Sequence, residues 1–215
     1  MESYLGIRHL DQQTRRHHAA ADSDRLTLMT SVVTPESYRT FLCRVFGFEA
    51  AVETALGMTP GLDEVVDLRS RVHLKLLKSD LAALGVSSTS HLPRCPSVVP
   101  FRSCAEALGW MYVIERNFLL HGILRRHLEK RSPAPIAIAG SYLAGNERAV
   151  GTRMRELRSV LDEFAATLWV ADDVVVAAHA AFRCQHSWFA CEHAQRAPAA
   201  QTLIELLNVW RRELA

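Results

Sequence analysis

Gly109-Trp110-Met111-Tyr112-Val113-Ile114-Glu115-Arg116-Asn117-Phe118-Leu119-Leu120-His121-Gly122 is apolar at most positions, yet it carries a carboxylate, a guanidinium, an amide and an imidazole. A helix that is apolar nearly all round belongs inside a protein, and polar groups taken inside with it need partners. The stretch therefore reads as the central helix of an all-α globule, and its polar residues as either the glue of a core or the lining of a site.

Working outward, apolar residues recur three and four apart along the whole chain, and no alternating segment is flanked by Asn-Gly or Asp-Gly turns. The spacing predicts helices over Ile7–Ser23 and from Thr34 to Leu56. Thr34 can cap the second of these, and Pro35 suits its first position. Asp63 to Leu84 reads as a third, bent element that ends at Gly85. Val86 to Pro100 holds three prolines and reads as a surface connection to one long helix, Phe101 to Glu129. Arg131 to Ala139 reads as a second connection, followed by helices over Tyr142–Leu168, Ala171–His193 and Pro198–Leu214. No internal repeat or low-complexity segment interrupts this pattern.

The chain has 215 residues, 49% of them apolar, enough to bury roughly 70% of its unfolded surface in one core. One domain over residues 1–215 is expected. Its 25 basic and 23 acidic side chains are dispersed, for a net charge of +2, which leaves no basic stripe for a nucleic acid. Five cysteines without a CxxC spacing argue against a disulfide framework or a structural zinc site and point to a reducing, cytoplasmic setting. No apolar run reaches the roughly 18 residues needed to span a bilayer, so no membrane partner is expected.

Two polar constellations stand out. On the first helix His18 and Asp22 lie four apart on one face, so the carboxylate can orient the imidazole; His17 points about 100° away. Adjacent histidines beside Arg15 and Arg16 also suit a solvated helix face. On the long helix Glu115 and Arg116 read as an ion pair with each other or with neighbouring helices. Asn117 and His121, again four apart, can line a cleft, or His121 can hydrogen-bond inside the core.

Thr14-x-x-x-His18-x-x-x-Asp22, Leu108-Gly109-x-x-Tyr112-Val113-Ile114-Glu115 and Ala177-x-x-Ala180-Ala181-Phe182-x-x-x-x-x-Trp188-Phe189 resemble, in that order, the proximal, distal and late helices of heme oxygenases, above all bacterial members associated with phytochromes. The resemblance implies a single-domain heme-oxygenase-like helical bundle, with heme as both cofactor and substrate and His18 as the iron ligand. It further implies oxygen-dependent opening of the ring to biliverdin, carbon monoxide and iron, fed by an electron donor, with the bilin passing to a photoreceptor. Asp22, Tyr112, Arg116 and Phe182 would border the heme, with Arg15, Tyr112, Arg153 or Arg155 holding its propionates and Asn117, His121 and Gly122 on the oxygen side as catalytic candidates.

The distal segment departs from the family pattern Gly-Ser-x-Leu-Gly-Gly, because Arg116-Asn117-Phe118-Leu119-Leu120-His121 stands there. Glycines serve where backbone must approach a ligand closely, so three outcomes follow from their loss. Gly122 takes over their role, or His121 becomes a second iron ligand, or Arg116 and Leu120 fill the space and leave a heme-oxygenase-like fold that binds no heme. The alternative to the oxygenase is a non-catalytic relative that binds heme, a bilin or a protein partner. Other chemistries fit less well. A di-iron bundle needs Glu-x-x-His repeats that this chain lacks, and Cys104 and Cys184, the thiols that a thiaminase-like hydrolase would use, read as small buried hydrophobes.

Overall fold

A computed structural model describes residues 6–164 and 168–190. Its helices are α1 (Gly6–Leu26), α2 (Pro35–Gly57), α3 (Leu62–Val65), α4 (Leu74–Ala83), α5 (Cys104–Phe118), α6 (His121–Arg131), α7 (Pro133–Ile138), α8 (Ser141–Phe164) and α9 (Leu168–Ala190), with single 3₁₀ turns at Thr27–Met29 and Leu68–Arg71. No strand occurs among the described residues, and the protein is all-α. No helix among them is long and apolar enough to cross a membrane.

Local sequence explains most of the helix ends. Thr34 accepts from the Ser37 amide and Ser37 Oγ accepts from the Thr34 amide, a reciprocal cap, with Pro35 in the first turn. Ser103 accepts from the Glu106 amide at the start of α5. At the end of α4 Gly85 adopts φ +85°, and its amide and that of Val86 return to the carbonyls of Ala82 and Leu81. That pair of bonds closes a helix on a residue in the left-handed region, which glycine enters without strain. The start of α8 is capped from a distance: both oxygens of buried Asp80, on α4, accept from the amides of Ser141 and Tyr142 at 3.1 and 2.8 Å.

Every residue from Ala107 to Glu115 is buried, so α5 is the axis around which the other helices pack. It lies against α9, α8, α2 and α1. At its closest crossing Gly109 meets α9, where a β-carbon would stand 2.5 Å from the Val174 carbonyl oxygen and 2.7 Å from Ala177 Cβ. The connection after α4 is pinned inward, with the Cys95 amide donating to the Gly47 carbonyl.

Three expectations change. The helix expected over Phe101–Glu129 is two helices, because Leu119 and Leu120 turn tightly with amides bonded three residues back. No glycine or proline marks this break; beyond it α6 places Arg125 and Arg126 on Glu147 of α8. The element expected over Asp63–Leu84 is α3, a 3₁₀ turn and α4, since Glu53 of α2 captures the amides of His73 and Leu74 and starts a new helix there. The connection expected over Arg131–Ala139 contains α7, opened by Pro133. The helix expected over Pro198–Leu214 and the end of Ala171–His193 lie outside the described residues.

Candidate functional site

α1 presents Asp11, Thr14, His18 and Asp22 at three- and four-residue spacing, and α5 answers with Tyr112 and Arg116. Thr14 Oγ1 donates to the Leu10 carbonyl at 2.8 Å, so its lone pair faces His18 Nε2 at 3.1 Å. In the neutral imidazole Nε2 is then the donor and Nδ1 carries the lone pair. Tyr112 donates to Asp11 Oδ1 at 3.1 Å and lies 3.5 Å from Thr14 Oγ1. Arg116 grips both oxygens of Asp22, at 2.6 and 3.1 Å, in the planar two-point geometry that makes such pairs strong. Burial, and then the Arg116 charge, hold the His18 pKa below the ordinary histidine value against the opposite pull of Asp11 and Asp22. Phe182 of α9 closes the group, its ring 5.6 Å from those of His17 and His18 and 6.3 Å from Tyr112.

The structure thus brings His18, Asp22, Tyr112, Arg116 and Phe182 together, with one exchange of partners. Asp22 serves Arg116 instead of orienting His18, and Arg116 serves Asp22 instead of Glu115. Glu115 is held from elsewhere: Arg71 donates to Oε1 at 2.7 Å and Arg153 to Oε2 at 2.9 Å, all three side chains being buried. Arg153 also donates to Asn146, so as a propionate anchor it is ruled out by its own core duties. Arg15 is exposed on α1.

The expected oxygen-side residues disperse, because the bend after Phe118 breaks the shared helix face. Asn117 exchanges amide hydrogen bonds with Gln185 of α9. His121 is fully buried between Phe118 and Tyr142, and neither ring nitrogen has a hydrogen-bond partner among the described residues. Gly122 faces α8, where a β-carbon would stand 2.7 Å from Glu147 Oε1. None of the three touches the His18 group.

A second polar cluster, which sequence reasoning missed, occupies the core. Arg25 donates to Glu49 at 3.2 Å, and Tyr142 donates to the same Glu49 oxygen. Next to them a cavity of about 20 Å³ is lined by Glu49, Glu53, Arg71, His73 and Glu115 among others, room for about one water. Burial, then Arg153 and Arg71, push the His73 pKa down to about 3. The signal was present: Glu49 interrupts the apolar run Val45–Val52, and Arg25 falls on the stripe of Leu10, Thr14, Ala21 and Leu28. A charge inside an apolar stripe announces a buried partner, although spacing along one helix cannot say which.

Neither a protein-family model, nor a curated protein, nor a solved structure matches this chain. The fold brings the three sequence stretches side by side, with Gly109 against Ala177 and Phe182 against His18 and Tyr112. The residues do not fit a porphyrin in this arrangement. Tyr112 and Arg116 tie α5 to Asp11 and Asp22 of α1, and Nε2 of His18 is spent on Thr14. Neither the core cavity nor the larger one, of about 210 Å³ beside Thr27, Phe41 and Phe189, is lined by His18.

Proposed function

We propose that this chain is a heme-oxygenase-like binding protein that does not open the heme ring. The observation that carries the reading is the two-point Arg116–Asp22 ion pair, joined by Tyr112–Asp11, across the gap between α1 and α5. Arg116 stands where the resembling family has a glycine, so a side chain occupies space that a flat ligand would need, and large side chains forced into a fitted site ordinarily cost about 1–3 kcal/mol or exclude the ligand. Heme or a bilin would have to displace both contacts. A protein partner requires no such rearrangement and is the ligand class we favour.

The competing reading, an oxygenase cleaving heme to biliverdin, draws support from the convergence of the three resembling stretches around Phe182. Titration of the full chain with hemin separates the two. The expected result is no Soret band that depends on His18 and no biliverdin after addition of a reductant. A band abolished in His18→Ala, followed by biliverdin formation in the native chain, would establish the oxygenase and end the present reading. Arg116→Gly removes the ion pair and is expected to let hemin reach His18 where the native chain does not.

A further inference from the structure

We propose that His17 of α1 and His179 of α9 form a surface site for a late first-row divalent cation, Cu²⁺ or Ni²⁺, with water completing the coordination. Nε2 of His17 and Nδ1 of His179 face each other at 3.0 Å across the seam between the two helices. The His17 ring stacks on Phe182, nearly parallel at 12° and 5.6 Å between centroids. Both imidazoles are half-buried, so their nitrogens are held in place yet open to ions.

The spacing chooses the metal. With metal–nitrogen bonds of about 2.0–2.1 Å, a nitrogen separation of 3.0 Å corresponds to an angle at the metal of about 95°. Zinc prefers the wider tetrahedral angle, whereas square-planar and tetragonal sites with nitrogen donors suit Cu²⁺ and Ni²⁺. Among the described residues no group of three or more His, Cys, Asp or Glu side chains is arranged to hold a metal ion, so the protein offers two ligands here and leaves the remaining positions to solvent.

Partial burial, and then neighbouring charges, His179, Arg16 and Arg183 for His17 and the two arginines for His179, lower both pKa values from the ordinary histidine value. A neutral imidazole carries one lone pair, so binding to two neutral rings needs no net loss of a proton. In the free protein one ring donates an N–H to the other's lone pair. On binding, that ring moves its proton, through solvent, to its other nitrogen, and both lone pairs turn to the cation. Arg16 Nε also approaches His17 Nε2 at 3.4 Å and must swing away. Because Arg16 and Arg183 are exposed, their repulsion of a cation is screened by salt.

Two signatures follow that a simple histidine–histidine hydrogen bond lacks. Titration of the full chain with Cu²⁺ in a non-coordinating buffer is expected to show one tight equivalent whose electron paramagnetic resonance spectrum carries hyperfine structure from two nitrogens. That equivalent is expected to vanish in His17→Gln and in His179→Gln, to persist in His127→Gln on α6, and to tighten in Arg16→Gln. Affinity is also expected to rise with a non-coordinating salt until the Debye length nears about 3 Å. The proposal is overturned if no stoichiometric equivalent appears, if the equivalent survives both histidine substitutions, or if salt weakens it. Circular dichroism of each variant checks that loss of binding is not loss of fold.

Discussion

His73 and His121 are buried beside Arg25, Arg71 and Arg153, so either ring can take a proton only against burial and existing positive charge. Their folded pKa values lie below the ordinary 6.5, that of His73 at about 3. Below pH 6.5 the unfolded chain binds protons that the folded chain refuses. The stability they protect is fully present above pH 6.5 and is lost as the pH falls from there toward about 3. Urea titrations at pH 7.5 and 5 are expected to show a lower midpoint at pH 5, with a slope of up to about 1.4 kcal/mol per pH unit for each group. His121→Phe removes two unpartnered nitrogens while keeping a ring between Phe118 and Tyr142. Its stability at pH 7.5 is expected to stay within about 1–3 kcal/mol of the native chain, with a shallower loss on acidification; an unchanged pH slope would show that His121 contributes nothing to it. The neighbouring carboxylate gives a larger effect. Glu115→Ala leaves Arg153 without a carboxylate in the core and Arg71 with only Glu156 at 3.6 Å, and stranding a buried charge costs about 3–5 kcal/mol, measurable as a drop in the urea midpoint.

Between helices, the tightest constraint is the crossing of α5 and α9. Gly109→Ala places a β-carbon among the Val174 carbonyl, Ala177 Cβ and the Ala178 amide, at 2.5 to 2.8 Å. These are backbone and short side-chain atoms that cannot swing aside, so the helices must separate, at an expected cost of about 1–3 kcal/mol. Gly57, at the end of α2, supplies the matched control, because nothing lies within 4 Å of its added β-carbon. Gly57→Ala is expected to be neutral or to stabilise by up to about 1 kcal/mol through helix propensity and the stiffer unfolded chain. Equal melting temperatures for the two variants would refute the close packing of α5 on α9. Helix type and the ends at Thr34, Pro35 and Gly85 were readable because those residues act on their own turns. The break after Phe118 was not, since no glycine or proline marks it and α6 beyond it packs on α8, some twenty residues away in sequence.

Over the whole molecule, α5 contacts helices from both ends of the described chain, and its buried Glu115 draws partners from Arg71 and Arg153. Among the described residues the buried apolar side chains form one cluster. Thermal unfolding followed by helix dichroism and by tryptophan fluorescence, to which Trp110 inside and Trp188 near the surface both contribute, is expected to give one coincident transition; two separated midpoints would mean two independently folding units. By itself the sequence determined that this protein is helical and that the helix from Gly109 runs through its interior, because hydrophobic period and caps act within a few residues; His18, Asp22, Tyr112, Arg116 and Phe182 were singled out as a group by the resemblance of three stretches. Only the tertiary structure decided that Asp22 belongs to Arg116, that Glu115 belongs to Arg71 and Arg153, and that the gap between α1 and α5 is closed. The physical reason is that a charged side chain in a low-dielectric interior takes whichever partner the packing of distant helices delivers, and one helix's spacing holds no record of that choice.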